Sequence, residues 1–249
     1  WKEGRIKDIK RDVDAMYVIL PFEKEFYEDK HNFPVHFVGH PLIDAIAQKQ
    51  LINPSDFKAE FNLDNRPIIA LLPGSRKQEI SKMLEVMLSV TKDFKDYQFV
   101  IAGAPSQDAA FYSKFTKKQN VNLVMNRTYD ILSLATAALV TSGTATLETA
   151  LFKVPEVVCY KGSTISYQIA KRVINLEYIS LVNLIMDKPV VKELIQGDFN
   201  TKTLKKELSI ILDDTNRQNL FLDYYDLEKK LGGAGASDKT AQLIVDAIS

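Results

Sequence analysis

Short apolar runs alternate with amphipathic stretches along most of the chain. Five consecutive apolar residues at 68–72 predict a strand that is covered on both faces. Apolar residues then recur at helical spacing over 77–94, which predicts a helix with one buried stripe. The alternation continues, with strands predicted at 98–102, 121–124, 138–141 and 156–160 and helices at 106–119, 129–135, 144–152, 164–174, 201–213, 216–231 and 237–248. Because this alternation is typical of a parallel sheet with right-handed crossovers, the predicted fold class is α/β with a doubly wound sheet.

A less regular region precedes this series. It contains a charged helix-like stretch at 1–14, short strands at 17–22 and 35–38, a helix at 42–47 and a short helix after 53–56. Because the regular series begins only after the Gly39-His40-Pro41 turn, we expect a domain boundary near residues 39–41. The predicted domains are 1–40, 41–231 and a C-terminal helix at 232–249.

The turn after the first strand of the series has the features of an anion site. Pro73 and Gly74 end the extended run, and Ser75 stands three residues before Gln78, so we expect Ser75 to cap the next helix. A helix N-terminus presents unpaired N–H groups and the positive end of a dipole, and Arg76 adds a permanently charged guanidinium. The alternative is an ordinary strand-to-helix turn with a solvent-exposed arginine.

A second turn of this kind lies at Thr141–Glu148, with the sequence TSGTATLE. The small residues Ser142, Gly143 and Thr144 allow close approach of a diphosphate, and Glu148, one turn into the helix, suits ribose hydroxyls. Alternatively, Gly143 makes a tight turn, Thr144 caps the helix and Glu148 complements its dipole. Because both turns follow strands, we expect both at the carboxyl edge of the sheet, where they would form a nucleotide-diphosphate cleft.

Composition and charge narrow the function class. The net charge is zero, which gives no electrostatic reason to expect a nucleic-acid partner. The single cysteine, Cys159, excludes an internal disulfide. No apolar run approaches the ~20 residues that cross a bilayer, and no signal peptide is visible, so we expect a cytoplasmic protein. His31, His36 and His40 are too scattered for a zinc site, and only His40, at the expected domain joint, is a candidate for lining the cleft.

Taken together and in order, six stretches resemble the lipid-A-disaccharide synthase family. They are VGHPLIDAI (38–46), LLPGSRKQEI (71–80), TSGTATLETAL (141–151), VVCYKGSTISYQIAKRVI (157–174), YISLVNLI (178–185) and VVKELIQ (190–196). The resemblance implies a GT-B glycosyltransferase with two Rossmann-like domains and an active site in the cleft between them. It implies transfer of 2,3-diacylglucosamine from its UDP derivative to 2,3-diacylglucosamine 1-phosphate, with inversion, giving lipid A disaccharide 1-phosphate and UDP. No metal ion or other cofactor is expected.

The resemblance also assigns roles to residues. Arg76 matches the arginine expected to stabilise the UDP leaving group, Glu148 matches the glutamate expected on the ribose, and Asn183 matches an asparagine expected in the UDP site. Gly74, Ser75, Ser142, Gly143 and Thr144 complete the expected UDP-binding set. Val182 departs from the family, which usually has proline there, and this leaves the loop that carries Asn183 less rigid.

The family's enzymes begin well upstream of residue 1, which is Trp rather than Met. We therefore expect a complete C-terminal domain, a partial N-terminal domain and little transferase activity from this chain alone, and no residue is a defensible general base. The family belongs to Gram-negative bacteria, and its acylated substrates imply peripheral contact with the inner membrane. Formation of a homo-oligomer is left open, as are two other functions: another UDP-sugar enzyme, MurG-like or a UDP-sugar 2-epimerase, and a non-catalytic nucleotide-sugar module that needs a partner chain.

Overall fold

The computed structural model describes residues 3–117, 119, 121–162 and 177–249. The chain forms two compact units, one made of Trp1–Lys49 and Tyr225–Ser249 and the other of Gln50–Tyr224. The strands are β1 (Tyr17–Val18), β2 (His36–Phe37), β3 (Ile68–Leu72), β4 (Gln98–Gly103), β5 (Val121–Met125), β6 (Ala135–Thr141), β7 (Glu156–Tyr160) and β8 (Lys192–Ile195). The described α-helices are α1 (Ile6–Asp12), α2 (Pro21–Glu28), α3 (Pro41–Ala47), α4 (Pro54–Glu60), α5 (Lys77–Met87), α6 (Ala109–Thr116), α7 (Thr128–Leu134), α8 (Thr144–Leu151), α9 (Leu181–Met186), α10 (Thr201–Leu212), α11 (Asp214–Lys230) and α12 (Ala236–Ile248).

The larger unit is built on a six-stranded sheet with the order β5-β4-β3-β6-β7-β8. Every neighbouring pair is parallel. This is the strand order of a Rossmann-type doubly wound sheet, in which the direction of winding reverses between β3 and β6. Ligands of such sheets bind outside the carboxyl ends of the strands at this reversal. The α/β fold class predicted from the sequence is confirmed.

Both faces of the sheet are buried, which is why its central strands are continuous apolar runs. On one face, Ile69 and Leu71 of β3 pack with the apolar stripe of α5, including Ile80, Met83 and Leu84. On the other face, alternate residues of β3, β4 and β6 pack with α4 and α7 in a second cluster: Phe57, Ile68, Ala70, Leu72, Val100, Ile131, Leu132, Ala138 and Val140. The sheet therefore holds β3 and β6 rigidly side by side.

The smaller unit contains the parallel pair β1 and β2 over a cluster of Ile6, Val18, Tyr27, Phe33 and Val35. Its two chain segments are joined by hydrogen bonds. The His40 N–H donates to the Leu231 carbonyl at 2.9 Å. The Asp44 carboxylate accepts from the N–H groups of Gly235 and Ser237 at 2.6 and 3.1 Å. These contacts lower the pKa of Asp44.

This grouping divides the chain differently from the boundaries predicted at residues 40 and 231. Residues 41–49 and the C-terminal helix belong with residues 1–40, because the hydrogen bonds just described join them across nearly 200 positions. A hydrophobicity pattern carries no signal for such contacts.

Three element predictions need correction. The helix expected over 77–94 ends at Met87 and continues as the 3-10 turn Leu88–Asp93. The strand expected over 17–22 stops at Val18, because Pro21 begins α2. The stretch before residue 197 contains α9 and the edge strand β8, which the sequence did not indicate. The helix predicted at 164–174 lies outside the described residues.

Candidate functional site

A cleft of about 520 Å³ lies at the carboxyl ends of β3 and β6. Leu72 is paired with Val140 at these strand ends, so the turns that follow the two strands face each other. We call them the GSR turn (Gly74–Arg76) and the SGT turn (Ser142–Thr144). The cleft is lined by both turns and by neighbouring residues that include Glu79, Ala104, Pro105, Thr128, Ala145 and Glu148. The structure therefore brings together seven of the predicted site residues: Gly74, Ser75, Arg76, Ser142, Gly143, Thr144 and Glu148.

The GSR turn differs in one respect from the prediction. Helix α5 begins at Lys77 with Arg76 as its N-cap residue and without a side-chain cap, so the prediction that Ser75 caps this helix was wrong. Instead, the Glu79 carboxylate reaches back to accept the Ser75 N–H at 3.2 Å. Gly74 has φ +96°, and a Cβ there would overlap the Glu79 carboxylate. Only glycine fits this turn without strain.

The carbonyl of Ser75 is held from the other side of the turn. It accepts hydrogen bonds from Ser106 Oγ at 2.7 Å and from Gln107 Nε2 at 3.1 Å. The Arg76 side chain is exposed and has no ion pair or hydrogen bond with any described residue. Its guanidinium is therefore available to a ligand in the cleft.

In the SGT turn, Ser142 uses both of its donors within the protein. Its N–H donates to the Cys159 carbonyl at 3.2 Å, and its hydroxyl donates to the Ile179 carbonyl at 2.9 Å. Gly143 is the N-cap residue of α8, with φ +149°. Thr144 is the first residue of the helix rather than its cap. Because the first N–H groups of a helix lack intrahelical partners, those of Thr144 and Ala145 are the donors that the turn offers to an anion.

Glu148 lies one turn into α8 and accepts a hydrogen bond from the Tyr129 hydroxyl at 3.0 Å. Among the lining side chains, Arg76 is the cation and Glu79 and Glu148 are the carboxylates. An anionic ligand in this cleft therefore depends on Arg76 and on backbone N–H groups at the starts of α5 and α8.

The two other predicted site residues, Asn183 and His40, make hydrogen bonds within their own units. Asn183 is 1% exposed, and its side-chain amide is fully used: it donates to Val191 O and to Glu193 Oε1 and accepts from the Val191 N–H, each at 2.9 Å. His40 belongs to the smaller unit, where its Nδ1 accepts the Leu42 N–H at 3.2 Å and caps α3. Burial lowers the pKa of His40. Asn183 is not among the residues that line the cleft.

Glu193 was not singled out from the sequence, although it lies in one of the family-like stretches. Its carboxylate accepts four hydrogen bonds, from the Ile179 N–H, the Ser180 N–H, Ser180 Oγ and Asn183 Nδ2 at 2.7–3.0 Å. The Ile179 carbonyl in turn accepts the Ser142 hydroxyl. Glu193 therefore supports the SGT turn from the edge strand, and only the folded chain reveals this link.

No group of three or more His, Cys, Asp or Glu side chains with the arrangement of a metal site occurs in the described residues. Nor is any helix among them both long enough and apolar enough to span a bilayer.

Comparison with known proteins decides the family. The family described as lipid-A-disaccharide synthetase matches residues 1–246. The chain belongs to this family. The lipid-A-disaccharide synthase of Geobacter sulfurreducens is 35% identical over 258 residues, and that of Syntrophus aciditrophicus is 37% identical over 257. The matches cover 99% and 100% of this chain but 65% and 66% of the relatives, so the chain spans slightly less than two thirds of their length.

Solved structures support the fold of this lipid-A-disaccharide synthase family member. The S. aureus MnaA-UDP co-structure superposes with a TM-score of 0.66 at 13% identity, covering 94% of this chain and 60% of that one. UDP-GlcNAc 2-epimerase from Neisseria meningitidis, bound to UDP-GlcNAc, gives a TM-score of 0.61 at 14% identity, covering 93% and 61%. CalG4, the calicheamicin glycosyltransferase, gives 0.57 at 16% identity, covering 95% and 54%. The structural neighbours are thus glycosyltransferases and epimerases of the GT-B type, and the GT-B fold assignment is confirmed.

Proposed function

We propose that this chain carries the donor-binding part of a lipid-A-disaccharide synthase. The reaction transfers 2,3-diacylglucosamine from its UDP derivative to 2,3-diacylglucosamine 1-phosphate and releases lipid A disaccharide 1-phosphate and UDP. The observation that carries the proposal is the convergence of the GSR and SGT turns at the reversal of a Rossmann-type sheet, in a chain that belongs to this family.

In this proposal the diphosphate of the donor lies between the starts of α5 and α8. Negative charge grows on UDP as the glycosidic bond breaks, and the Arg76 guanidinium stabilises that charge more in the transition state than in the bound donor. The N–H groups of Thr144 and Ala145 add preorganised donors, and Gly143, where a Cβ would meet nothing, keeps the backbone open to the phosphates. Glu148 accepts a hydrogen bond from a ribose hydroxyl. We assign the general base to no residue of this chain.

The proposed setting is the cytoplasmic side of the inner membrane, with peripheral contact, because both substrates carry acyl chains. The nucleotide-binding domain in this proposal is the part built on the six-stranded sheet. Co-sedimentation with anionic and neutral vesicles tests the membrane contact. Recovery of the chain only in the supernatant for both vesicle types would contradict it.

Calorimetric titration with UDP tests the donor site. Arg76→Ala removes the cleft's cation and should weaken UDP binding by about tenfold, the size of a hydrogen-bonded charge interaction. Lys82→Ala is the matched control, because Lys82 is an exposed cation on the same helix that does not line the cleft. Equal UDP affinity in the wild-type chain and Arg76→Ala would refute the role of the GSR turn.

A product assay tests the reaction itself. Incubation with both acylated substrates should give the disaccharide phosphate, which mass spectrometry detects. We expect little product with this chain alone and much more when the part of a relative that this chain does not match is added as a second polypeptide. A parallel incubation with UDP-N-acetylglucosamine examines epimerisation, since epimerases share the fold. Appearance of the manno epimer without any disaccharide would overturn the proposed reaction.

A further inference from the structure

The phenol of Tyr129 is the partner that fixes the carboxylate of Glu148. Tyr129 lies in the first turn of α7, and its hydroxyl donates to Glu148 Oε1 at 3.0 Å. No other hydrogen bond reaches the Glu148 carboxylate from the described residues, so Oε2 remains free to accept a second donor. The glutamate side chain has three rotatable bonds and is otherwise mobile. This one hydrogen bond therefore determines which oxygen of Glu148 faces a ligand in the cleft.

The ring of Tyr129 is itself held in place. It packs against Phe152, with ring centroids 5.2 Å apart and planes inclined by 59°. Glu148 and Phe152 are four residues apart and thus lie on one side of the C-terminal end of α8. Tyr129 therefore contacts Glu148 of α8 through its hydroxyl and the residue that ends this helix through its ring.

The protonation state of Tyr129 fits the role of donor. Partial burial raises the pKa of Tyr129, and the neighbouring charge of Glu148 raises it further. With its pKa raised, the Tyr129 hydroxyl keeps its proton at neutral pH, so it acts as the donor in this hydrogen bond.

We propose that Tyr129 is a positioning residue that makes the cleft selective for ribonucleotides, by holding one Glu148 oxygen so that the other accepts a ribose hydroxyl. This inference rests on the proposed function, because it assumes that the ribose lies at Glu148. Tyr129 itself touches no reacting atom. Its contribution is to remove in advance the rotamer entropy that Glu148 would otherwise lose on binding.

The test compares UDP with 2′-deoxy-UDP and 3′-deoxy-UDP by calorimetry. The wild-type chain should bind UDP about tenfold more tightly than the analogue that lacks the contacted hydroxyl. Tyr129→Phe keeps the ring against Phe152 and removes only the hydroxyl. It should weaken UDP binding about threefold or more, leave the affinity for that analogue unchanged, and so reduce the selectivity ratio.

Two further variants make the result decisive. Tyr178→Phe is the matched control, since it removes a tyrosine hydroxyl that donates to another glutamate, Glu177, outside the cleft. Glu148→Gln should reduce the ribose selectivity at least as much as Tyr129→Phe. Equal weakening of all three nucleotides in Tyr129→Phe would show a merely structural role and overturn the inference, as would unchanged selectivity.

The same data separate this inference from the function on which it rests. If Glu148→Gln reduces the selectivity and Tyr129→Phe does not, the positioning role fails while the ribose site stands. If the wild-type chain does not distinguish UDP from either analogue, the assignment of the ribose to Glu148 fails, and the positioning role fails with it.

Discussion

The Glu79 carboxylate accepts the Ser75 N–H at 3.2 Å, so a negative charge already lies inside the turn proposed to bind a diphosphate. Glu79 lines the cleft together with Glu148, and Arg76 is the cation among the lining side chains. The carboxylate shapes the GSR turn, but its charge opposes the ligand that the turn would bind. In the reaction proposed above, this opposition favours release of UDP.

Replacement of Glu79 by Gln should therefore strengthen UDP binding. Glutamine keeps the size of the side chain and an oxygen that can accept the Ser75 N–H, while the repulsion disappears. We expect about a threefold to tenfold higher affinity at low salt, with a smaller gain at high salt because screening already weakens the repulsion. Calorimetric titrations at two ionic strengths measure both effects.

The control for this charge removal is Glu85→Gln, which neutralises an exposed glutamate of the same helix outside the cleft. If Glu79→Gln binds UDP no better than Glu85→Gln does, the carboxylate is only a structural acceptor of the turn, and its charge does not oppose the ligand.

The buried carboxyl group of Glu156 should give the folded chain an unusual pH dependence of stability. It is 1% exposed at the start of β7, and neither carboxyl oxygen has a hydrogen-bond partner among the described residues. Burial raises the pKa of Glu156 well above its ordinary value. The folded chain therefore keeps this proton at pH values where the unfolded chain has lost it, and this contribution to stability is lost as the pH rises through that window.

Glu156→Gln removes the titration and should flatten this part of the stability profile. Its free energy of unfolding relative to wild type should increase with pH above about 4.3, by up to ~1.4 kcal/mol per pH unit, until the raised pKa is reached. Denaturant unfolding at pH 4, 5.5 and 7 measures the difference. Parallel profiles for the two proteins would show that the Glu156 pKa is not raised by folding.

Glu193 should prove one of the most important polar residues for stability. Glu193→Ala leaves the N–H groups of Ile179 and Ser180 without their acceptor and weakens the support of Asn183, so we expect a loss of roughly 2–4 kcal/mol. UDP affinity should fall as well, because the Ile179 carbonyl holds the Ser142 hydroxyl. The neighbouring exposed Lys192 provides the control variant Lys192→Ala. Equal stability of the two variants in denaturant would contradict the supporting role of Glu193.

Elements with a repeated local pattern were predictable from the sequence. The apolar run of β3 and the helical stripe after it are encoded within a few residues, and so are the breaks at Gly74 and Gly143. The edge strand β8 was missed because its sequence, KELI, has a single fully buried side chain, Leu194, and lacks an apolar run. Local sequence also misplaced the N-cap of α5, which is Arg76 rather than the predicted Ser75.

Relations between distant residues could only be seen in the folded chain. The two turns were expected to form one cleft at an edge of the sheet, and the structure shows the pairing that sets them face to face, between β3 and β6, whose end residues Leu72 and Val140 are far apart in sequence. The contact of Tyr129 with Glu148 depends on how two helices cross that sheet. Asn183 shows the reverse case, since its position in a family-like stretch suggested a ligand contact and its amide instead completes a buried network.

A crystal structure of the chain with UDP tests the central claim most directly. We predict the diphosphate between the two turns, within hydrogen-bond distance of the Arg76 guanidinium and of the N–H groups of Thr144 and Ala145, with the ribose at Glu148. A uridine nucleotide bound elsewhere, in contact with neither Arg76 nor Glu148, would contradict it.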